Sequence, residues 1–207
     1  ASDVQAVLDD PANTIPVRRE ALGALARTGS EELADRLPRY FHSPDPYLRS
    51  EAVTASRVYS DKKDPPLRYE ACWIGMLRDE ARNSFALGNA LGGLRATAGQ
   101  WVGLTPTQVR AIGPGAAFEA FLKELFEKGE SQGVVRAAWA EQWFRWWAER
   151  QGLDEAGIED SVAVRAAFWK AAEAGDLAGA KAALAAAKHP LRGLFTYEEG
   201  WLAARGG

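Results

Sequence analysis

An all-α fold is predicted by three observations. Three short stretches are nearly alike: Val17-Arg18-Arg19-Glu20-Ala21, Leu48-Arg49-Ser50-Glu51-Ala52 and Leu67-Arg68-Tyr69-Glu70-Ala71. Each follows a proline (Pro16, Pro46, Pro66) that suits the first turn of a helix. Alanine, leucine, glutamate and arginine dominate the chain, β-branched residues are sparse, and no stretch alternates apolar and polar residues between turn signals as a strand does. The punctuation between apolar segments is that of helix ends, so helix follows helix through short turns.

Taken in order, helices are expected near 2–9, 16–28, 31–41, 46–60, 66–79, 81–97, 106–112, 115–128, 132–151, 161–174, 176–188 and 197–205. Gly29-Ser30 closes the second helix and caps the third, where Glu31 and Glu32 complement the positive end of the dipole. Pro38 should bend the third helix or end it early, because it has no N–H to donate. Asp61-Lys62-Lys63-Asp64-Pro65-Pro66 is a polar, proline-stiffened junction. Glycines at 88, 92, 93, 99, 103, 113 and 115 cost a helix stability, so Ala86–Leu94 either packs very closely on a neighbour or is partly irregular. Thr105-Pro106-Thr107-Gln108 and Thr196-Tyr197-Glu198-Glu199 have the form of capping boxes. Gly129-Glu130-Ser131 and Gly175-Asp176 each pair a C-terminal glycine with an N-cap.

Arg18 and Arg49 stand 31 positions apart (49 − 18), with Ala21/Ala52 and Ala24/Ala55 in register, a length that fits two helices and two turns. Arg49 and Arg68 stand 19 apart (68 − 49), about one helix short, so the third unit has lost a helix or the stack turns there. Proline, an apolar residue, arginine and then alanine at helical spacing resemble the HEAT-repeat family over roughly residues 10–100. The resemblance implies an α-solenoid in which the recurrent arginine (Arg18, Arg49, Arg68) ties neighbouring repeats together and the small residues let helices approach. Residues 161–188 resemble a single tetratricopeptide-type hairpin; one copy cannot bury its own faces and is read as a packing hairpin of the same body. The expected organisation is HEAT-like repeats over 1–97, a Gly/Pro-containing connector over 98–114, and a C-terminal helical bundle over 115–207 packed on the repeats.

With 207 residues, 47% of them hydrophobic, the chain can bury a substantial core. A net charge of −3 gives no global attraction to nucleic acid or anionic membrane. One cysteine, Cys72, excludes an internal disulfide framework and suggests a reducing compartment, so the cytoplasm is expected, with the periplasm still open. No apolar run approaches the ~20 residues of a membrane span. The first residue, Ala1, fits removal of an initiator methionine or of a leader.

Few motifs suggest chemistry. Gly129-Glu130-Ser131-Gln132-Gly133 has the nucleophile-elbow pattern, followed in order by Asp154 or Asp160 and His189, but an elbow needs a strand, and Phe118–Phe126 before it has helical spacing. Ser131 is therefore read as an N-cap. His42, His189 and one cysteine are too few for a Cys/His metal cluster. His189, before Pro190, faces a helix end. No phosphate-binding or dinucleotide-binding glycine loop occurs. Glu31/Glu32 and Glu198/Glu199 are read as helix-start charges.

The least ordinary feature is one helix carrying Trp139, Trp143, Trp146 and Trp147 at i, i+4, i+7 and i+8, with Phe144 off that stripe. Such a stripe is first of all core. Burying four indoles and pairing each N–H is demanding, however, so Trp143 or Trp147 with a nearby arginine (Arg136, Arg145, Arg150) is a candidate partner site, an idea that fails if both indoles are enclosed. Arg49, Arg68, Tyr69 and Trp73 form a second candidate surface, set against the reading that the arginines serve packing between repeats. The expected partner-binding residues are thus Arg49, Arg68, Tyr69, Trp73, Trp143, Trp147 and Arg150, with no catalytic residue, metal or cofactor. The function expected is a non-catalytic helical-repeat scaffold for a macromolecular partner, taken as protein. The alternative is a HEAT-like DNA glycosylase-type enzyme, which the acidic pI and the lack of a clear Trp/Asp/Arg match weaken. No residues specify a third possibility, a chromophore-lyase-like HEAT protein.

Overall fold

The computed structural model describes residues 2–60, 69–79, 84–99, 102, 130–188 and 193–206. Among these are ten helices and no strand: α1 (Ser2–Asp9), α2 (Ile15–Arg27), α3 (Glu31–Tyr40), α4 (Pro46–Ser60), α5 (Tyr69–Asp79), α6 (Ser84–Ala98), α7 (Glu130–Arg150), α8 (Glu155–Glu173), α9 (Leu177–Ala185) and α10 (Thr196–Ala203). The helices expected at 106–112 and 115–128, the 61–66 junction and nearly all of the 98–114 connector lie outside the described residues.

Local chemistry sets most boundaries. Gly29 adopts φ 68° and Ser30 accepts the Leu33 N–H at 3.3 Å, which ends α2 and starts α3. Asp45 accepts the N–H groups of Tyr47 and Leu48 at 2.9 and 3.0 Å ahead of α4. Gly175 (φ 74°) and Asp176, which accepts the Gly179 N–H at 2.8 Å, separate α8 from α9. The same device operates at Gly152 (φ 86°) and Asp154, which accepts the Gly157 N–H at 2.8 Å; α8 therefore starts at Glu155, well before the expected 161. Two expected caps differ. Ser131 lies inside α7, after Glu130, and is not its N-cap. Thr196 is the first residue of α10 and donates its hydroxyl backward to the Gly193 carbonyl at 2.9 Å, so no capping box forms there.

Pro38 does not end α3, which continues to Tyr40. A proline at 38 cannot donate to the Ala34 carbonyl one turn earlier. That carbonyl instead accepts the Tyr69 hydroxyl at 2.9 Å, so the lost helical bond becomes a tie to α5.

α1 packs on α2 and α3 on α4, while α2 lies along α4 and α4 along α6. Arg18 and Arg49 do equivalent work. Arg18 Nε donates to the Leu8 carbonyl at the end of α1 at 2.8 Å, and Arg49 Nη1 donates to the Ser43 and Pro44 carbonyls beyond α3 at 2.7 and 3.2 Å. Each bond fastens the second helix of a hairpin to the end of the first. Asp9 joins α1 to α3 by accepting from Tyr40 at 2.6 Å and from Arg36 at 2.7 Å. The helix after Pro66 is not a second helix like its two look-alikes. It is α5, which pairs with α6, and α6 packs on α4 as α4 packs on α2.

α7 packs on α5 and α8, α8 pairs with α9, and α10 lies against α3 and α5. One continuous hydrophobic core runs from Leu8 through Trp73 and Trp143 to Trp201. Two glycines allow its closest approaches. A Cβ on Gly93 of α6 would meet the Trp73 ring at 2.8 Å, so the glycine-rich helix is the close-packed one of the two alternatives. A Cβ on Gly75 of α5 would overlap the Tyr197 ring. Among the described residues, no helix is long and apolar enough to cross a membrane.

Candidate functional site

The expected partner residues are not gathered on a surface. Trp143 and Trp147 are 0% and 1% exposed, so neither indole can meet a partner; that idea is overturned and the stripe is core. Phe144, off the stripe, is buried as well, because α8 covers that side of α7 and Arg165 lies over its ring at 4.4 Å. Tyr69 and Trp73 are likewise enclosed and leave the surface reading. Tyr69 is tied to the Ala34 carbonyl, and the Trp73 Nε1–H donates to Ser56 Oγ at 2.8 Å. Arg49 is committed to loop carbonyls. Arg68 lies outside the described residues. Arg150 is exposed, 5.1 Å above the half-buried Trp146. Arg145 turns from the rings to Glu141 and Glu159.

The elbow-like constellation is not assembled either. Asp154 is occupied as the cap of α8, Asp160 faces Lys188 at 3.6 Å, and His189 lies outside the described residues. Burial pushes the Cys72 thiol well above its ordinary range, which keeps it in the unreactive form. No group of three His, Cys, Asp or Glu among the described residues is placed to hold a metal ion.

What the fold does assemble is a cleft where α5, α7, α8 and α10 meet. Two hollows share Arg78 and Trp169 as walls. The smaller, about 50 Å³, is mainly apolar: Ala137, Ala140, Phe144, Val162 and Ala166 line it, with Glu141 and Arg165 at its edge. The larger, about 220 Å³, is bounded by Ala172, Glu173, Trp201 and Arg205. Helical periodicity places its parts. Residues 165, 169, 172 and 173 recur along one face of α8, and Trp201 and Arg205 are one turn apart at the end of α10.

The walls are rigid. Trp169, Phe168 and Trp201 make edge-to-face contacts with centroids 5.0–6.0 Å apart. Beneath them Arg165 and Glu198 form a buried ion pair at 2.8 Å that joins α8 to α10. Glu199 next to it is held above its ordinary range by burial and by the Glu198 charge. The rim is cationic on aromatic. Arg78 lies 5.4 Å over Trp169 and pairs with Glu173 at 2.9 Å. Arg205 lies 3.8 Å over Trp201 and donates weakly to its carbonyl at 3.4 Å, with no carboxylate partner among the described residues. Trp169 is 4% exposed, and its indole N–H has no acceptor. The surface is thus one of arginines backed by buried rings, and arginine is a typical anchor of binding patches.

Sequence reasoning missed all four rim residues: Arg78, Trp169, Trp201 and Arg205. The local signal for one pair was the i, i+4 spacing of Trp201 and Arg205, repeated at Trp146 and Arg150. Comparison with family models, with curated proteins and with solved structures finds no match to this chain, so its functional reading rests on its own side chains.

Proposed function

We propose that the chain is a non-catalytic, HEAT-like helical-repeat scaffold that binds a protein partner at the α5/α7/α8/α10 cleft. The cleft itself carries the reading: two arginines stacked on buried tryptophans beside an apolar hollow, on a frame stiffened by an internal ion pair. The arginine sutures of α2 and α4 and the row α2, α4, α6 support the solenoid-like part. The cleft's mixed charge, with Glu141 and Glu173 at its edges, favours protein over a polyanionic duplex, which needs several uncompensated cations along its track.

The test uses the immobilised full chain and its Ala166→Trp variant, which fills the smaller hollow from an exposed position. A protein retained from cells by the wild type should be retained about tenfold less by the variant, as expected when a central anchor pocket is lost. Equal retention by both, or tight retention of duplex DNA that falls steeply with salt, overturns the proposal.

A further inference from the structure

We propose that the cleft reads a pair of adjacent side chains on its partner, one apolar and one carboxylate; this rests on the docking site proposed above. The apolar member enters the hollow between Ala140 and Ala166, and the carboxylate is held by Arg205.

Charge selects the carboxylate. Around the larger hollow, two guanidinium groups face one carboxylate, and the Arg78–Glu173 pair is already neutral. One positive charge is left, on Arg205, which a single monoanion matches. A phosphate dianion would leave excess negative charge beside Glu173, and a neutral ligand would leave Arg205 without an anionic partner.

Size selects the pair. About 220 Å³ lies below the roughly 300–1,000 Å³ of pockets for drug-sized ligands, so the larger hollow takes one residue-sized group. The smaller hollow, about 50 Å³, takes the tip of one apolar side chain. Their shared walls, Arg78 and Trp169, put the two groups within reach of neighbouring positions on one segment.

The experiment titrates the full chain with acetyl-leucyl-glutamyl-leucyl amide, its glutamine counterpart and its phosphoserine counterpart, following the indole N–H resonances of Trp169 and Trp201 by heteronuclear NMR. The glutamyl peptide should move both resonances and bind about tenfold more tightly than either counterpart, the gain of a charge-assisted hydrogen bond. Arg205→Gln, an exposed change, should erase that preference. Equal binding of the glutamyl and glutamine peptides, a preference that survives Arg205→Gln, or tighter binding of the phosphoserine peptide overturns the inference. The two proposals fail separately. If the partner captured from cells is lost on Ala166→Trp but kept on Arg205→Gln, docking at the cleft stands and the carboxylate assignment falls. If Ala166→Trp keeps the partner, the docking site itself falls.

Discussion

Arg18 and Arg49 of the N-terminal hairpins end on backbone, whereas the four arginines at positions 78, 150, 165 and 205 lie over rings. Arg18 and Arg49 spend their hydrogen-bonding capacity on carbonyls where α1 and the α3–α4 turn leave acceptors without helical partners. Arg78, Arg165, Arg150 and Arg205 lie over Trp169, Phe144, Trp146 and Trp201. At Arg18 and Arg49 the guanidinium is an internal fastening to backbone carbonyls. In the other four the guanidinium face covers a ring, and Arg78 and Arg165 also pair with Glu173 and Glu198. The difference follows from what lies within reach of each arginine: helix-end and turn carbonyls for Arg18 and Arg49, tryptophan and phenylalanine faces for the other four. Arg165 belongs to both modes, since it covers a ring and is also paired with Glu198, and it marks the boundary between fastening and presenting.

The largest expected effect tests that boundary. Arg165→Met should leave Glu198, which is 1% exposed, charged and unpaired, at a cost of about 3–5 kcal/mol. The double variant Arg165→Met/Glu198→Met should recover most of this, because an apolar pair of similar size removes both desolvation penalties. Urea midpoints of the three chains decide it. If the double variant is no more stable than Arg165→Met, the arginine is held by Phe144 rather than by the acid, and it belongs wholly with the ring-bound set.

A second test addresses the seam between the regions. His42, just after α3, places Nε2 2.8 Å from the Tyr197 carbonyl of α10, to which it donates its Nε2 proton. Burial, reinforced by the charges of Arg205 and Arg49, lowers its pKa from 6.5 to about 4 against the opposing effect of that hydrogen bond. Above pH 6.5 the ring is neutral in both folded and unfolded chains. As pH falls from 6.5 toward 4 only the unfolded chain takes up the proton, so stability drops, by about 3 kcal/mol across the window. His42→Gln should flatten the dependence of the urea midpoint on pH in that window. A slope equal to wild type would mean that α10 is not held against α3 by a neutral imidazole.

How much of this was legible follows from sequence distance. Gly29-Ser30 and Gly175-Asp176 could be read because a positive-φ glycine and its following cap are adjacent; Gly152 and Asp154 obey the same grammar with one residue between them. The burial of Trp143 and Trp147 was written in their helical spacing, while that of Phe144 depends on α8, which no periodicity within α7 reveals. The third look-alike segment misled because its opening residues resemble those of α2 and α4, and only packing shows that α5 takes the other place in its hairpin. The cleft was illegible for a similar reason. Arg78 and Arg205 stand 127 positions apart (205 − 78), and their neighbourhood exists only once α10 lies across α5.

The smallest expected effect bears on the suture itself. Arg49→Met keeps much of the side chain's apolar length and removes the donors to Ser43 and Pro44. These acceptors are partly reached by water, so the loss should be about 1–2 kcal/mol, the lower part of the range for charge-assisted bonds. Arg49→Lys should restore only part of it, because a single ammonium cannot reproduce the fork of a guanidinium. The matching Arg18→Met should cost a similar amount, since Arg18 makes the equivalent bond to Leu8. Equal, additive losses would identify two copies of one structural device. A loss at Arg49 alone would make the likeness of the two segments a likeness of helix starts and nothing more, and the fastening role would then have to be sought in contacts such as Tyr40–Asp9 and Arg36–Asp9, which join α1 to α3 without any help from the repeat.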